Sequence, residues 1–338
     1  MSVIVSIALA MVLIVNSVVD TLWYFGGNKL FPENYSFNER LSKVNLYLMS
    51  PAEFDCIVLG SSRVTLLDAK KIAESNCFNF SFSDGTPHEF VYYSKYIKKY
   101  GRLPDKLIVG IDMRFYSRKD AAPNVPEFVK TLDLPPPFIK PYLSFDGLDF
   151  TIRTLKKDPP RLRYYTDELI GDLLPGTKDY VPPECFTPDG FGDSYSSKNI
   201  HYISKIKKIL QANTVIGYVA PVSAWDMLPL LEDGELESYI DLVYQLSKEF
   251  EQFYDFTVPS KLTTRTDNNY DGHHFNRLAN NEIAAILNGK KSTAGLALHE
   301  LSFKEYKYAF ITAMHDFSNK VGARKKSSWA CSHRSAIR

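Results

Sequence analysis

The sequence predicts a doubly wound α/β domain, and two observations carry that prediction. Residues 55–59 (DCIVL), 77–82 (CFNFSF), 106–111 (KLIVGI), 214–220 (TVIGYVA) and 253–258 (FYDFTV) are short and mostly apolar. Such runs suit strands buried on both faces of a parallel sheet. Helix-like segments separate them, and that alternation is how an open α/β sheet is built.

Each element can be justified in turn. Residues 3–19 (VIVSIALAMVLIVNSVV) carry no charge and are followed by Asp20, Leu22, Trp23 and Tyr24. An apolar run of this length ending in an aromatic pair predicts one transmembrane helix over residues 1–25, longer than the core of a cleaved signal peptide. Lys29, Arg40 and Lys43 follow the run and no basic residue precedes it. A literal charge count would put the main domain in the cytoplasm. A linker with Gly26, Gly27 and Pro32 leads to a helix near 38–49, completing a segment of residues 26–53. Thr86, Pro87 and Glu89 open a helix that ends at Gly101, because Thr caps, Pro tolerates the first turn and an acid suits it. Further helices fit 197–211, 234–250 and 276–288.

The α/β domain spans residues 54–290 and carries an insertion at 117–196 with twelve of the nineteen prolines. Helices are expected there near 145–156 and 164–173. So long an excursion is either a substrate lid or a packing elaboration. Residues 291–338 supply an amphipathic helix over 298–318 and a basic tail.

Composition excludes little but is informative. Forty basic and thirty-nine acidic residues in 338 give a net charge of +1, so nothing points to nucleic acid. Aromatics make up 14% of the chain. Phe138, Tyr142, Tyr164 and Tyr165 are candidates to stack on sugar rings, or simply core. Cys56, Cys77, Cys185 and Cys331 show no metal-binding spacing. Cys56 and Cys77, in strand-like runs, read as inert core residues, and a disulfide between any pair is left open by the sequence. No cofactor or metal is called for.

The chemistry begins where the first strand stops, at Gly60-Ser61-Ser62-Arg63. A serine at the carboxyl end of a central strand lies where open α/β sheets place their sites. Residues 266–276 (TDNNYDGHHFN) offer a base and a carboxylate to orient it, Asp271 and His274, three apart on one side of a turn. His273 is the rival ring, expected to point away from the crevice. A literal Gly192-Asp193-Ser194 follows no strand and reads as loop and helix cap.

In this order of elements the chain resembles the SGNH or GDSL hydrolase superfamily over about residues 54–290. It resembles most a membrane-anchored, cell-envelope branch with Gly-Ser-Ser-Arg as first block. The resemblance implies a three-layer flavodoxin-like fold with a parallel sheet, Ser62 as nucleophile, His274 as base and Asp271 as its orienting acid. It implies Gly85 as an oxyanion donor, with Ser83 as competitor. Asp112 stands where the family has a donating Asn, and an ionised carboxylate would repel an oxyanion. Asp112 must therefore be protonated, turned away, or bonded to Arg63 or Arg114.

The implied function is a serine-dependent esterase or O-acyltransferase acting on acylated cell-envelope polysaccharide through an acyl-enzyme on Ser62. The implied location is a single-pass membrane protein with its main domain on the periplasmic or extracellular side, where a membrane-bound acyl-donor protein would be the partner. The competing reading is a catalytically degenerate scaffold or glycan-binding protein of an envelope assembly.

Overall fold

The computed structural model describes residues 2–117, 123–183 and 197–322. The described strands are β1 (Glu33–Asn34), β2 (Cys56–Gly60), β3 (Cys77–Asn79), β4 (Lys106–Ile111), β5 (Arg163–Thr166), β6 (Gly171–Leu173), β7 (Thr214–Val219), β8 (Gln252–Asp255) and β9 (Leu296–Ala297). Six of them form one sheet in the order β3-β2-β4-β7-β8-β9, parallel except for β9. Its five parallel strands follow the doubly wound order 2-1-3-4-5, whose crevices open at the strands' carboxyl ends.

Both faces of this sheet are dry, which is why its strands do not alternate in polarity. Ile57, Leu59, Leu107, Val109 and Val215 face the helices Pro87–Tyr100, Ile200–Leu210, Leu236–Ser247 and Phe303–Gly322. Cys56, Val58, Ile108, Ile216 and Tyr218 face the helix Arg277–Leu287 through Ala279, Ile283 and Leu287. Side-chain caps start the helices where polar residues meet apolar periodicity. Asn38 accepts from the Leu41 N–H, Thr86 from that of Glu89, and Asn276 from that of Ala279.

The N-terminal expectation needs correction. Among the described residues no helix is long and apolar enough to cross a membrane. The expected transmembrane helix, and single-pass membrane localisation with it, therefore lack a span. The helix Ser2–Val19 has 18 residues, about 27 Å at 1.5 Å each against a hydrocarbon core of about 30 Å. Its carboxyl end is built into the protein. Asn16 Nδ2 donates to the Tyr142 carbonyl at 2.6 Å, and buried Asp20 accepts from the N–H groups of Tyr24, Phe25 and Gly27. Trp23, expected in an aromatic belt, is fully buried and donates from Nε1 to the Asp167 carbonyl at 2.7 Å.

Two further corrections concern the insertion and the cysteines. Residues 164–173 are not a helix but belong to the hairpin of β5 and β6, and β1 completes a three-stranded sheet with β5. The run Arg163–Thr166 alternates buried and half-buried, the period of a strand. Cys56 and Cys77 are not inert thiols: they are register partners on adjacent strands and form a disulfide. The helix Ala224–Glu232 went unread because Pro229 interrupts its pattern. The Gly192-Asp193-Ser194 motif, Cys185, Cys331 and the basic tail lie outside the described residues.

β3 is an edge strand, and the disulfide that fastens it closes a loop of 21 residues. Restricting the unfolded chain over such a loop is worth about 3 kcal/mol. The Cys56→Ala/Cys77→Ala protein is expected to lose about that much in a urea unfolding titration; an unchanged midpoint would contradict the assignment.

Candidate active site

The turn after β2 is drawn onto the sheet by two glycines. Gly60 and Gly110 are register neighbours on β2 and β4, and a Cβ on either would stand 2.4 or 2.3 Å from the Val64 Cγ2 methyl. Val64 occupies that notch, fully buried, and its N–H closes a turn on the Ser61 carbonyl at 2.9 Å. Ser61, Ser62 and Arg63 are thereby pinned at the carboxyl edge of the sheet.

The loop after β8 meets them. Ser62 Oγ lies 2.9 Å from His274 Nε2, and His274 Nδ1 lies 2.6 Å from Asp271 Oδ2. Asp271 Oδ1 accepts from the N–H groups of His273 at 3.0 Å and His274 at 2.8 Å. Burial works against its charge, but the His274 ring and these donors hold the carboxyl well below the usual carboxylate range. Nδ1 of His274 thus carries the proton and Nε2 faces the serine as acceptor. Tyr270 stacks on the His274 ring at 5.7 Å between centroids. Gly272 makes the turn possible: its φ is +83°, and a Cβ would lie 1.9 Å from Asp226 Oδ2.

Asp112, the departure from the family pattern, takes the third of the three options open to it. It is buried, accepts from Ser61 Oγ at 3.0 Å and from Arg114 Nη2 at 2.7 Å, and lies 3.4 Å from Arg63 Nε. Desolvation opposes ionisation, yet Arg63 and Arg114 keep the carboxyl far below its ordinary value. It is an ionised clamp on the serine turn and donates to nothing.

The other carried-over donors are also engaged. The Gly85 N–H donates to the Phe82 carbonyl at 3.0 Å, and the Ser83 N–H and hydroxyl both donate to Glu39. Whether an N–H is open depends on the turn it closes, which residue types do not report. The backbone N–H of Ser62 donates to no protein acceptor among the described residues.

Behind the triad runs a second chain that the sequence reading missed. Arg63 Nη2 donates to His273 Nδ1 at 3.2 Å, and His273 Nε2 stands 3.7 Å from Asp226 Oδ2. The rival ring is therefore committed to Arg63 and kept neutral, its pKa pushed down to about 3 by burial and by that guanidinium. Tyr180 donates to Asp226 Oδ1 at 2.6 Å, while Oδ2 is buried with no hydrogen-bond partner. Burial pushes the Asp226 carboxyl up to about 6. Asp226 follows the carboxyl end of β7, a position that could have marked it. Among the described residues no cluster of His, Cys, Asp and Glu could hold a metal ion.

Ser62, His274 and Asp271 have the connectivity of a nucleophile, a base and an orienting acid on a doubly wound sheet. Compared with known proteins, the chain matches no family model and no curated protein.

Removing the clamp leaves buried Arg63 without its counter-charge, so Asp112→Ala should cost about 3–5 kcal/mol in chemical denaturation; a loss below 1 kcal/mol would contradict that role. The Asp226 carboxyl has its pKa raised on folding. Between pH 4 and 6 the folded protein therefore binds a proton that the unfolded chain has released, and stability from this group falls as pH rises through that window. Asp226→Asn removes the decline and should gain about 2 kcal/mol on wild type between pH 4.5 and pH 7.5. Parallel stability curves would refute it.

Proposed function

We propose that the chain is a serine-dependent esterase or O-acyltransferase that works through an acyl-enzyme on Ser62, with acylated polysaccharide as substrate. The observation that carries the reading is the continuous hydrogen-bond chain Ser62–His274–Asp271, 2.9 Å and 2.6 Å long. The resemblance of Gly60-Ser61-Ser62-Arg63 and Asp271-x-x-His274 to the SGNH blocks supports it.

In this mechanism His274 Nε2 takes the Ser62 proton as Oγ attacks the ester carbonyl. Asp271, ionised and bonded to Nδ1–H, stabilises the imidazolium that forms. Collapse of the tetrahedral intermediate expels the alcohol, which leaves with the proton from Nε2. Water or a sugar hydroxyl then gives its proton to Nε2, attacks the acyl carbon and restores Ser62. The oxyanion is met by the Ser62 N–H, with Arg63 and Arg114 beside the turn paired to Asp112. The missing Asn donor costs on the order of 3 kcal/mol, about a hundredfold in rate.

The engaged state of Gly85 and Ser83 and the ionised Asp112 favour a second reading, a glycan-binding protein without turnover. Hydrolysis of p-nitrophenyl acetate separates the two. Ser62→Ala and His274→Ala should each reduce the rate on the order of 10³-fold or more, and Asp271→Asn on the order of 10²-fold to 10⁴-fold. A wild-type rate no higher than that of folded Ser62→Ala would leave only the binding reading.

A further inference from the structure

A cleft of about 640 Å³ opens beside the serine turn, walled by the N-terminal segment and the insertion. This volume suits one or two small rings. Tyr35, Phe37 and Tyr165 contribute aromatic surface, and Ser36, Asn38 and Asn124 contribute hydrogen-bonding groups. Tyr35 is itself stacked with Tyr164 at 5.9 Å, and Phe37 meets Tyr165 edge-on at 5.0 Å, so both rings of the wall are braced. Flat apolar faces alternating with amides and hydroxyls match the two faces of a sugar.

The charges in the same walls do not cancel. Arg40 is neutralised by Glu89, which accepts from its Nε at 2.7 Å and its Nη2 at 2.9 Å. Arg163 is buried and, among the described residues, donates to neutral oxygens, the Ser62 carbonyl at 3.2 Å and Thr65 Oγ1 at 2.9 Å. Exposed Arg161 donates to Ser83 Oγ. Glu39 is the acid of the lining and accepts from the Ser83 N–H and hydroxyl; its single charge acts on Arg40, Lys43 and Arg163 and leaves the lining net positive. Lys43 lies buried behind the wall with its ammonium on the Ser81 carbonyl at 2.7 Å. Arg163 is held charged by the more distant carboxylates of Glu39 and Asp271, and its hydrogen-bond partners are neutral, so an anion brought into the cleft would meet a guanidinium without a direct counter-ion. Guanidinium groups offer a planar fork that matches carboxylate and phosphate.

Arg163 lines the cleft and donates to the Ser62 carbonyl at 3.2 Å, so the cleft wall and the serine turn share one side chain. We propose that this cleft binds an anionic sugar unit, its carboxylate or phosphate on Arg161 and Arg163, and so sets an acylated acidic polysaccharide against Ser62. The delivery to Ser62 rests on the esterase or acyltransferase reading; the binding does not.

Titration calorimetry on the full chain carrying Ser62→Ala keeps the two apart, because it reads binding without turnover. The ligands are a trigalacturonate, the neutral maltotriose, glucose 6-phosphate and inorganic phosphate. The acidic trisaccharide or the sugar phosphate should bind at least tenfold more tightly than maltotriose, and which of them binds better assigns the anion. Arg161→Ala should weaken the better ligand at least tenfold, with Arg161→Lys intermediate; Arg161 is exposed, so both variants fold. Equal affinity for maltotriose, indifference to Arg161, no binding at all, or inorganic phosphate binding as tightly as either anionic sugar would each overturn the proposal. Failure of the p-nitrophenyl acetate test would leave this result standing.

Discussion

The interaction on which the site depends is the buried charge of Asp112. It sits just past the end of β4, the strand beside the one that carries the serine turn, and holds Ser61, Arg63 and Arg114 together. A lone carboxylate there would be expelled or protonated. With two guanidiniums around it, the charge persists and ties Ser61, Arg63 and Arg114 to one point. Arg63, so fixed, engages His273 and leaves His274 as the ring that meets Ser62. A departure that looks like damage to an oxyanion hole is, in this chain, what assigns the two adjacent histidines their separate tasks.

Much of the architecture was legible because it depends on local pattern. Five apolar runs and their capped helices stand within a few residues of where periodicity placed them. The meeting of the Gly60-Ser61-Ser62 turn with Asp271 and His274 was legible from one spacing and two strand ends, while the choice of Ser62 over Ser61 came from the SGNH resemblance. What stayed hidden depends on pairing between distant segments. The disulfide follows from strand register, the hairpin of β5 and β6 from its pairing with β1, and Asp226 from a helix that arrives 46 residues after its partner Tyr180. The N-terminal helix was misread for the same reason: a hydropathy window sees residues 3–19 but not Asn16 and Asp20 anchoring them to Tyr142.

The cleft and the triad illustrate how an insertion acquires a place in a site. Residues of the insertion reach the serine turn through Arg163, whose guanidinium hydrogen-bonds two of that turn's oxygens. The N-terminal segment contributes the opposite wall, joined by the pairing of β1 with β5. Neither segment belongs to the parallel sheet. The sheet fixes the serine turn, and the peripheral segments build the walls beside it.

The loop around Gly272 divides the machinery unevenly. Ser62 rides on the sheet, whereas Asp271 and His274 share one loop, tied down where the Ser223 N–H meets the Gly272 carbonyl at 2.7 Å and where Asn269 Oδ1 accepts from the Gly272 N–H at 2.8 Å. Lifting that loop removes base and orienting acid in a single event and leaves an unactivated hydroxyl behind. On the esterase or acyltransferase reading, any local opening of this loop would withdraw molecules from reaction without global unfolding. An opening free energy of about 1.4 kcal/mol would idle roughly one molecule in ten, so on that reading the loop's tethers, the bonds of His273 to Arg63 and of Gly272 to Ser223 among them, would set how much of the protein is competent.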